Sequence, residues 1–159
     1  MYGNQNTTFS TCEYRIFPTK EQKQQLTARF DLEDSAYNTL AGHVNQSYSN
    51  GAGLEELNAL VRNHPIPAQS EADLFAINQV RKRIISLLPR LSSGKMDCIK
   101  PRRVDRSQRS ARYHYVGISD YHLVLPVISS YMLFTTVHID GGKLDEVVQA
   151  VAELGNQYD

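Results

Sequence analysis

Hydrophobic positions change their period several times along this chain, and each change marks an element. Cys12, Tyr14 and Ile16 alternate with Glu13, Arg15 and Phe17, the two-residue period of a half-buried strand, so residues 9–17 read as a first strand. Pro18, which has no N–H to give, ends it. Thr19 followed by Gln22 makes a capping box, so a helix starts there and runs to about residue 30. It buries Leu26 and Phe30 and turns Lys20, Lys23 and Gln24 outward. Asp31-Leu-Glu-Asp34 offers acidic caps for a second helix, whose Ala36, Tyr37, Leu40, Ala41, Val44 and Tyr48 share one face. Residues 49–53, rich in Gly and Asn, stop it. A third helix over 54–62 buries Leu54, Leu57, Leu60 and Val61 before His64-Pro-Ile-Pro67 breaks it. Ser70 and Asp73 form the next capping box. The helix that follows, from residue 71 to about 88, carries Leu74, Ile77, Ile84, Leu87 and Leu88 as its apolar stripe. Pro89 ends it, and Ser92-Ser-Gly94 reads as a flexible exit.

Beyond residue 100 the period returns to two. Residues 112–116, 121–125 and 127–139 are rich in Tyr, Val, Ile and Thr and read as strands, with turns at Ser119-Asp120 and around Ser129-Ser130. Asp140-Gly-Gly142 has the composition of a hairpin turn. In the last segment Leu144, Val147, Val148 and Val151 fit a helix by period, whereas a hairpin demands a strand. Residues 1–8 are polar and read as a loose arm. Four helices within 19–91 make a helical subdomain, so the expected class is α+β.

Composition changes this picture little. The 159 residues are 41% hydrophobic and 21% charged, an ordinary globular balance for one domain or two small ones. No apolar run approaches the ~20 residues of a membrane span, and the polar start lacks the features of a secretion signal. The expected address is the cytoplasm, and no membrane partner is expected. Cys12 and Cys98 stand alone without metal-type spacing and are expected to be reduced and structural.

Charge changes the picture more. The formal net charge is zero, yet residues 100–112 hold Lys100, Arg102, Arg103, Arg106, Arg109 and Arg112 against Asp105 alone. The stretch 118–159 is acidic, with Lys143 its one basic residue. Such asymmetry suits a phosphate-binding edge. Tyr113, His114 and Tyr115 follow at once, adding aromatic faces on which bases can stack. Five of the six cations are arginine, whose fork matches phosphate geometry. The alternative is a solvated linker whose charge serves solubility. Arg81-Lys82-Arg83 lies mid-helix, where an exposed charged face is ordinary, and Tyr37 and Tyr48 read as core.

Catalytic chemistry finds no pattern. The five histidines and two cysteines lack zinc-type spacing, although His122 and His138 could meet across strands. No Gly-x-Ser-x-Gly elbow and no Gly-rich phosphate loop is present. Asp140-Gly141 reads as a turn. No enzyme activity, metal or cofactor is expected.

One stretch carries a resemblance. Tyr14-Arg-Ile-Phe-Pro-Thr-Lys-Glu-Gln-Lys-Gln-Gln-Leu26 resembles the opening of TnpB, the RNA-guided nuclease of insertion sequences, and of the related type V CRISPR effectors. Ser70-Glu-Ala-Asp-Leu-Phe-Ala-Ile-Asn-Gln-Val80, Lys100-Pro-Arg-Arg-Val104, residues 121–126 and residues 138–148 are similar to later segments of that family. Glu71 and Phe75 stand where the family tends to have glutamines. The resemblance implies an oligonucleotide-binding "wedge" β-barrel, begun in residues 1–18 and completed in 96–159, interrupted by a helical recognition subdomain over 19–95. It also tips residues 144–152 towards strand. Nothing resembling the family's RuvC nuclease domain, with its metal-binding carboxylates, is recognisable, so binding without cleavage is implied. The implied partners are guide-type RNA, target DNA and a separate nuclease-bearing chain. The implied contact residues are Tyr14, Arg15, Lys20 and Lys23 at the barrel–helix junction, Arg81, Lys82 and Arg83, and Lys100, Arg102, Arg103, Arg106, Arg109, Arg112, Tyr113 and Tyr115. Two other readings stand beside it: an interaction protein mimicking a recognition lobe, and a helix-turn-helix DNA binder using residues 33–48. The latter helix carries no lysine or arginine.

Overall fold

In the computed structural model, which describes residues 16–103, 109–114, 116–119, 122–126, 128–133 and 149–154, a two-residue strand β1 (Ile16–Phe17) leads into one long helix, α1 (Lys20–Ser49). The capping box forms as the sequence implies. Gln22 N–H donates to Thr19 Oγ1 at 3.2 Å and Thr19 N–H donates to Gln22 Oε1 at 2.8 Å. The break expected at residues 31–34 does not occur. Asp31 and Asp34 are used sideways, in ion pairs with residues far along the chain, and Glu33 pairs with Arg29 one turn back, so the backbone runs on for 30 residues, about 45 Å. Gly51, at φ 95°, then closes the helix. Ala52 N–H reaches back to Ser47 O and Gly51 N–H to Tyr48 O, both at 3.0 Å, the paired bonds of a Schellman turn.

Helix α2 (Leu54–Asn63) and helix α3 (Glu71–Ser92) follow. Ser70 Oγ accepts from Asp73 N–H at 3.1 Å, while the Asp73 carboxylate accepts from Gln69 N–H. Pro89 does not end α3, which continues to Ser92. The proline removes one donor, but Leu88 and Leu91 are both fully buried and hold the last turn on the core. The exit is a second Schellman turn rather than a flexible segment. Gly94 takes φ 79°, Lys95 N–H bonds Arg90 O at 2.9 Å, and Gly94 N–H bonds Leu91 O at 3.1 Å. The buried stripe of α3 is Ala76, Ile77, Val80, Ile84, Leu88 and Leu91. Leu74, expected inside, is 51% exposed, because it lies off that line.

The remaining elements are strands β2 (Arg109–His114), β3 (Gly117–Ser119), β4 (His122–Leu125), β5 (Ile128–Leu133) and β6 (Gln149–Leu154). Four of them form an antiparallel sheet in the order β1-β5-β4-β3, with Ile16 opposite Leu133 and Leu125 opposite Ile128. The reversal therefore falls between Leu125 and Ile128, and Ser129-Ser130, expected as a turn, lie inside β5. Pro126 supplies the break instead. β1 joins this sheet across all three helices, so the helical block is an insertion between a strand and its partner. β2 and β6 pair separately, from Arg109 opposite Leu154 to His114 opposite Gln149. β6 is strand, as the resemblance suggested. Asp140-Gly-Gly142 and residues 144–148 lie outside the described residues. The fold is mixed helix and strand, mostly helical, and among the described residues no pairing joins the two ladders into a closed barrel.

Two cores result. The larger joins Tyr37, Leu40 and Val44 of α1 to Leu57, Val61, Ile77, Ile84, Leu88, Leu91 and Ile99. The smaller joins Leu26 and Phe30 of the same helix to Ala111, Tyr113 and Leu125. Between α3 and β2, residues 99–103 lie along α1 as a strap. Asn45 Nδ2 donates to Ile99 O at 2.9 Å and Asn45 Oδ1 accepts from Ile99 N–H at 2.8 Å. Asn38 does the same for Arg102, at 3.1 and 2.7 Å. Each amide thus replaces a strand neighbour. The lengths match, since seven helical residues rise about 10.5 Å and three extended residues span about 10 Å. Cys98 is exposed at the start of the strap rather than packed. Among the described residues no helix is long and apolar enough to cross a membrane.

Tyr113 gives this arrangement a measurable property. Burial pushes its phenol up to about 12, against the pull of Arg29, and its Oη finds no hydrogen-bond partner among the described residues. The unfolded chain gives up this proton near pH 10 while the folded chain keeps it, so stability falls between about pH 10 and about pH 12. Tyr113→Phe is expected to remove on the order of 2 kcal/mol of that alkaline loss. At neutral pH it should be no less stable than the native chain, because an unsatisfied hydroxyl is removed. Urea unfolding at about pH 8 and about pH 12 checks both statements.

Candidate nucleic-acid interface

The described parts of the basic segment, residues 100–103 and 109–112, are not a solvated linker. Their arginines divide between holding the fold and facing solvent. In β2 the two-residue period turns Arg109, Ala111 and Tyr113 inward and Ser110 and Arg112 outward. Arg109 Nη2 donates to Asp31 Oδ1 at 2.7 Å and to Asp34 Oδ2 at 2.9 Å. The Asp31 side chain is 61% exposed and that of Asp34 1%, so Asp34 carries the energetic weight. Burial opposes the charge on Arg109, yet the bonds from both carboxylates hold its pKa above the ordinary value. Arg102 approaches the other Asp34 oxygen at 3.6 Å.

Each of three guanidiniums also covers a ring. Arg109 lies over Phe30, Arg102 over Tyr37 at 4.2 Å, and Arg29 over Tyr113 at 4.5 Å, contacts a planar delocalised cation favours. Arg29 in addition donates to Arg112 O at 2.7 Å and to Glu33 at 3.1 Å, which fixes the backbone of β2 on α1. Arg109 and Tyr113, expected as phosphate and base contacts, are therefore enclosed in the molecule. Burial of the inward face of β2 is the reason.

What this leaves outside is an open cleft of about 420 Å³ where α1, α3, the strap and β2 meet. Arg83 of α3, Arg102 of the strap and Arg112 of β2 line it, with the amide of Gln79 and the hydroxyl of Ser110 beside them. Glu33 is the one carboxylate among its lining residues. Desolvation by burial raises its pKa, partly offset by Arg29. Three guanidiniums, one acid and two neutral polar side chains thus share one opening, and of the three cations Arg102 is also shared with Asp34. A second opening, along the same helix, is lined by Arg81 and Lys82. Arg81 is also engaged in structure, its guanidinium capping the end of α2 through Val61 O. Of the other expected contact residues, Lys20, Lys23, Lys100 and Arg103 are exposed but line neither opening. Tyr14, Arg15, Arg106 and Tyr115 lie outside the described residues.

Gln79, Ser110 and Glu33 are site residues the sequence did not single out. The period of β2 could have given Ser110, but Gln79 and Glu33 carry no local signal. His43 and His64 meet, ring centres 4.3 Å apart; the expected approach of His122 to His138 lies outside the described residues, which do not include His138. Among the described residues no cluster of three or more His, Cys, Asp or Glu could hold a metal ion. No family model matches the chain, and no curated protein matches it.

Asp34→Ala leaves Arg109 buried without its enclosed counter-ion, and the expected loss of stability is about 3–5 kcal/mol. Asp34→Leu combined with Arg109→Met removes both charges together and is expected to recover most of it. A double-mutant cycle in urea measures the difference.

Proposed function

We propose that this chain binds structured guide-type RNA, or an RNA–DNA duplex, as the wedge-and-recognition part of a TnpB-like, RNA-guided DNA-targeting assembly in the cytoplasm. The cutting chemistry is assigned to no residue described here. The observation that carries the reading is the convergence of Arg83, Arg102 and Arg112, from three separate elements, on one open cleft. Arginines on one strand or one helix would be expected of any charged surface, whereas three brought together across some 30 residues of sequence suit a backbone of repeating phosphates. The helical block inserted between β1 and its sheet is the order the resemblance implies, and closure of the strands into one wedge barrel is part of the proposal. The helix-turn-helix alternative has less support, since residues 33–48 are the continuation of α1 and bury their apolar face in the larger core.

One observation favours the protein-interaction reading instead. Arg102 and Arg109 meet carboxylates within the chain, so the segment presents less charge than its sequence suggests. Salt separates the two readings. The protein purified from its host is expected to bring one structured RNA with it, recoverable by sequencing. Arg83→Ala and Arg112→Ala are each expected to weaken that RNA and to lower the dependence of log affinity on log salt by about 1. Lys20→Ala should leave the cleft intact. Retention of no RNA above background, by the native chain, would sink the reading.

Glu33 adds a pH signature. Its carboxylate sits among the cations, so proton uptake there removes a repulsion from bound phosphate. Affinity for an RNA strand is expected to rise as pH falls through the raised pKa of Glu33, and Glu33→Gln should bind more tightly at neutral pH and lose that rise. Titrations across mildly acidic pH read both.

A further inference from the structure

The second opening, about 630 Å³ in volume, differs in chemistry from the arginine cleft. Phe75 and Ile85 are its apolar lining, Asn78 and Gln79 bring two side-chain amides to it, and Arg62 of α2 with Arg81 and Lys82 of α3 bring its cations. No acidic residue lines it. Gln79 lines both openings, so they are neighbours along α3 with one side chain between them.

Phosphates alone would need cations alone. An aromatic lining that also carries amides suits a flat heterocycle that stacks on one face and offers donors and acceptors at its edge. A base inside a duplex is stacked on both faces and cannot enter. We infer that the opening beside Phe75 receives one unstacked base of a single-stranded segment, whose adjoining phosphates run over Gln79 into the cleft of Arg83, Arg102 and Arg112. The inference rests on the nucleic-acid reading above and adds to it that α3 meets a single strand, not only a duplex. Phe75 stacks on the base, Asn78 and Gln79 meet its edge, and Arg62 and Lys82 neutralise the phosphates on either side.

The test compares a labelled single-stranded RNA, the matching DNA strand and a blunt RNA duplex by fluorescence anisotropy. Base and phosphate are common to RNA and DNA, so either strand can report the pocket. Phe75→Leu keeps an apolar side chain but loses the stacking face. It is expected to weaken the better-bound strand about tenfold, with no change for the duplex and no change in salt dependence. Asn78→Asp, at an exposed position, is expected to weaken the same strand without touching the ring, and guards against a folding defect in the Phe75 variant. Arg83→Ala should weaken strand and duplex alike. If Phe75→Leu and Asn78→Asp leave the single strand unaffected, or weaken strand and duplex equally, the base site is overturned while the phosphate cleft stands. If the native protein binds neither strand nor duplex, the nucleic-acid reading falls and the base site with it.

Discussion

A single buried carboxylate, that of Asp34, sets the terms for the rest of the molecule. It sits in the middle of α1 with its side chain 1% exposed, and an isolated charge there would cost several kcal/mol. The cost is met by Arg109 and Arg102, which arrive from 75 and 68 residues further along the chain. Bringing them in lays the strap along α1 and seats β2 against it. The outward face of β2, with Ser110 and Arg112, is then forced towards α3. The cleft is thus a by-product of an electrostatic requirement in the core.

Local chemistry was well written in the sequence. Thr19 and Gln22, Ser70 and Asp73, Gly51 and Gly94 all sit where backbone donors and acceptors need them, and each acts within a few residues. The apolar face of residues 36–48 was equally legible, because a helix repeats its own period. Where the meaning of a residue depended on a distant partner, the sequence was silent or misleading. Asp31 to Asp34 have the composition of a helix start, and nothing within ten residues says that the counter-ions of Asp31 and Asp34 lie beyond residue 100. Asn38 and Asn45 read as ordinary polar surface until the strap is present to accept them. Leu74 is apolar but stands off the line that faces α1 and α2.

The same limit governed the site. Six cations between residues 100 and 112 look equivalent in a list, yet the alternation of β2 buries Arg109 and exposes Arg112, and the amide of Asn38 turns Arg102 towards Tyr37 and Asp34. Residue type announces affinity for anions but not whether the anion is a carboxylate of the same chain. Replacing all of these arginines at once would dismantle the core together with any binding surface, so loss of binding in such a protein would say nothing about phosphate. Arg83 and Arg112 are the informative positions because they are exposed and line the cleft.

The unbroken helix α1 has a geometric consequence. Leu26 and Phe30 belong to one core, Ala36, Tyr37, Leu40 and Val44 to the other, and about 100° of rotation separates each residue from the next. One residue gained or lost between Phe30 and Ala36 would turn one core about the helix axis by that angle relative to the other, and would carry Asp34 away from Arg109. Length is therefore constrained in the middle of α1 as tightly as the identity of Asp34 is: a related chain could exchange the exposed side chains around it, but it would have to keep the count.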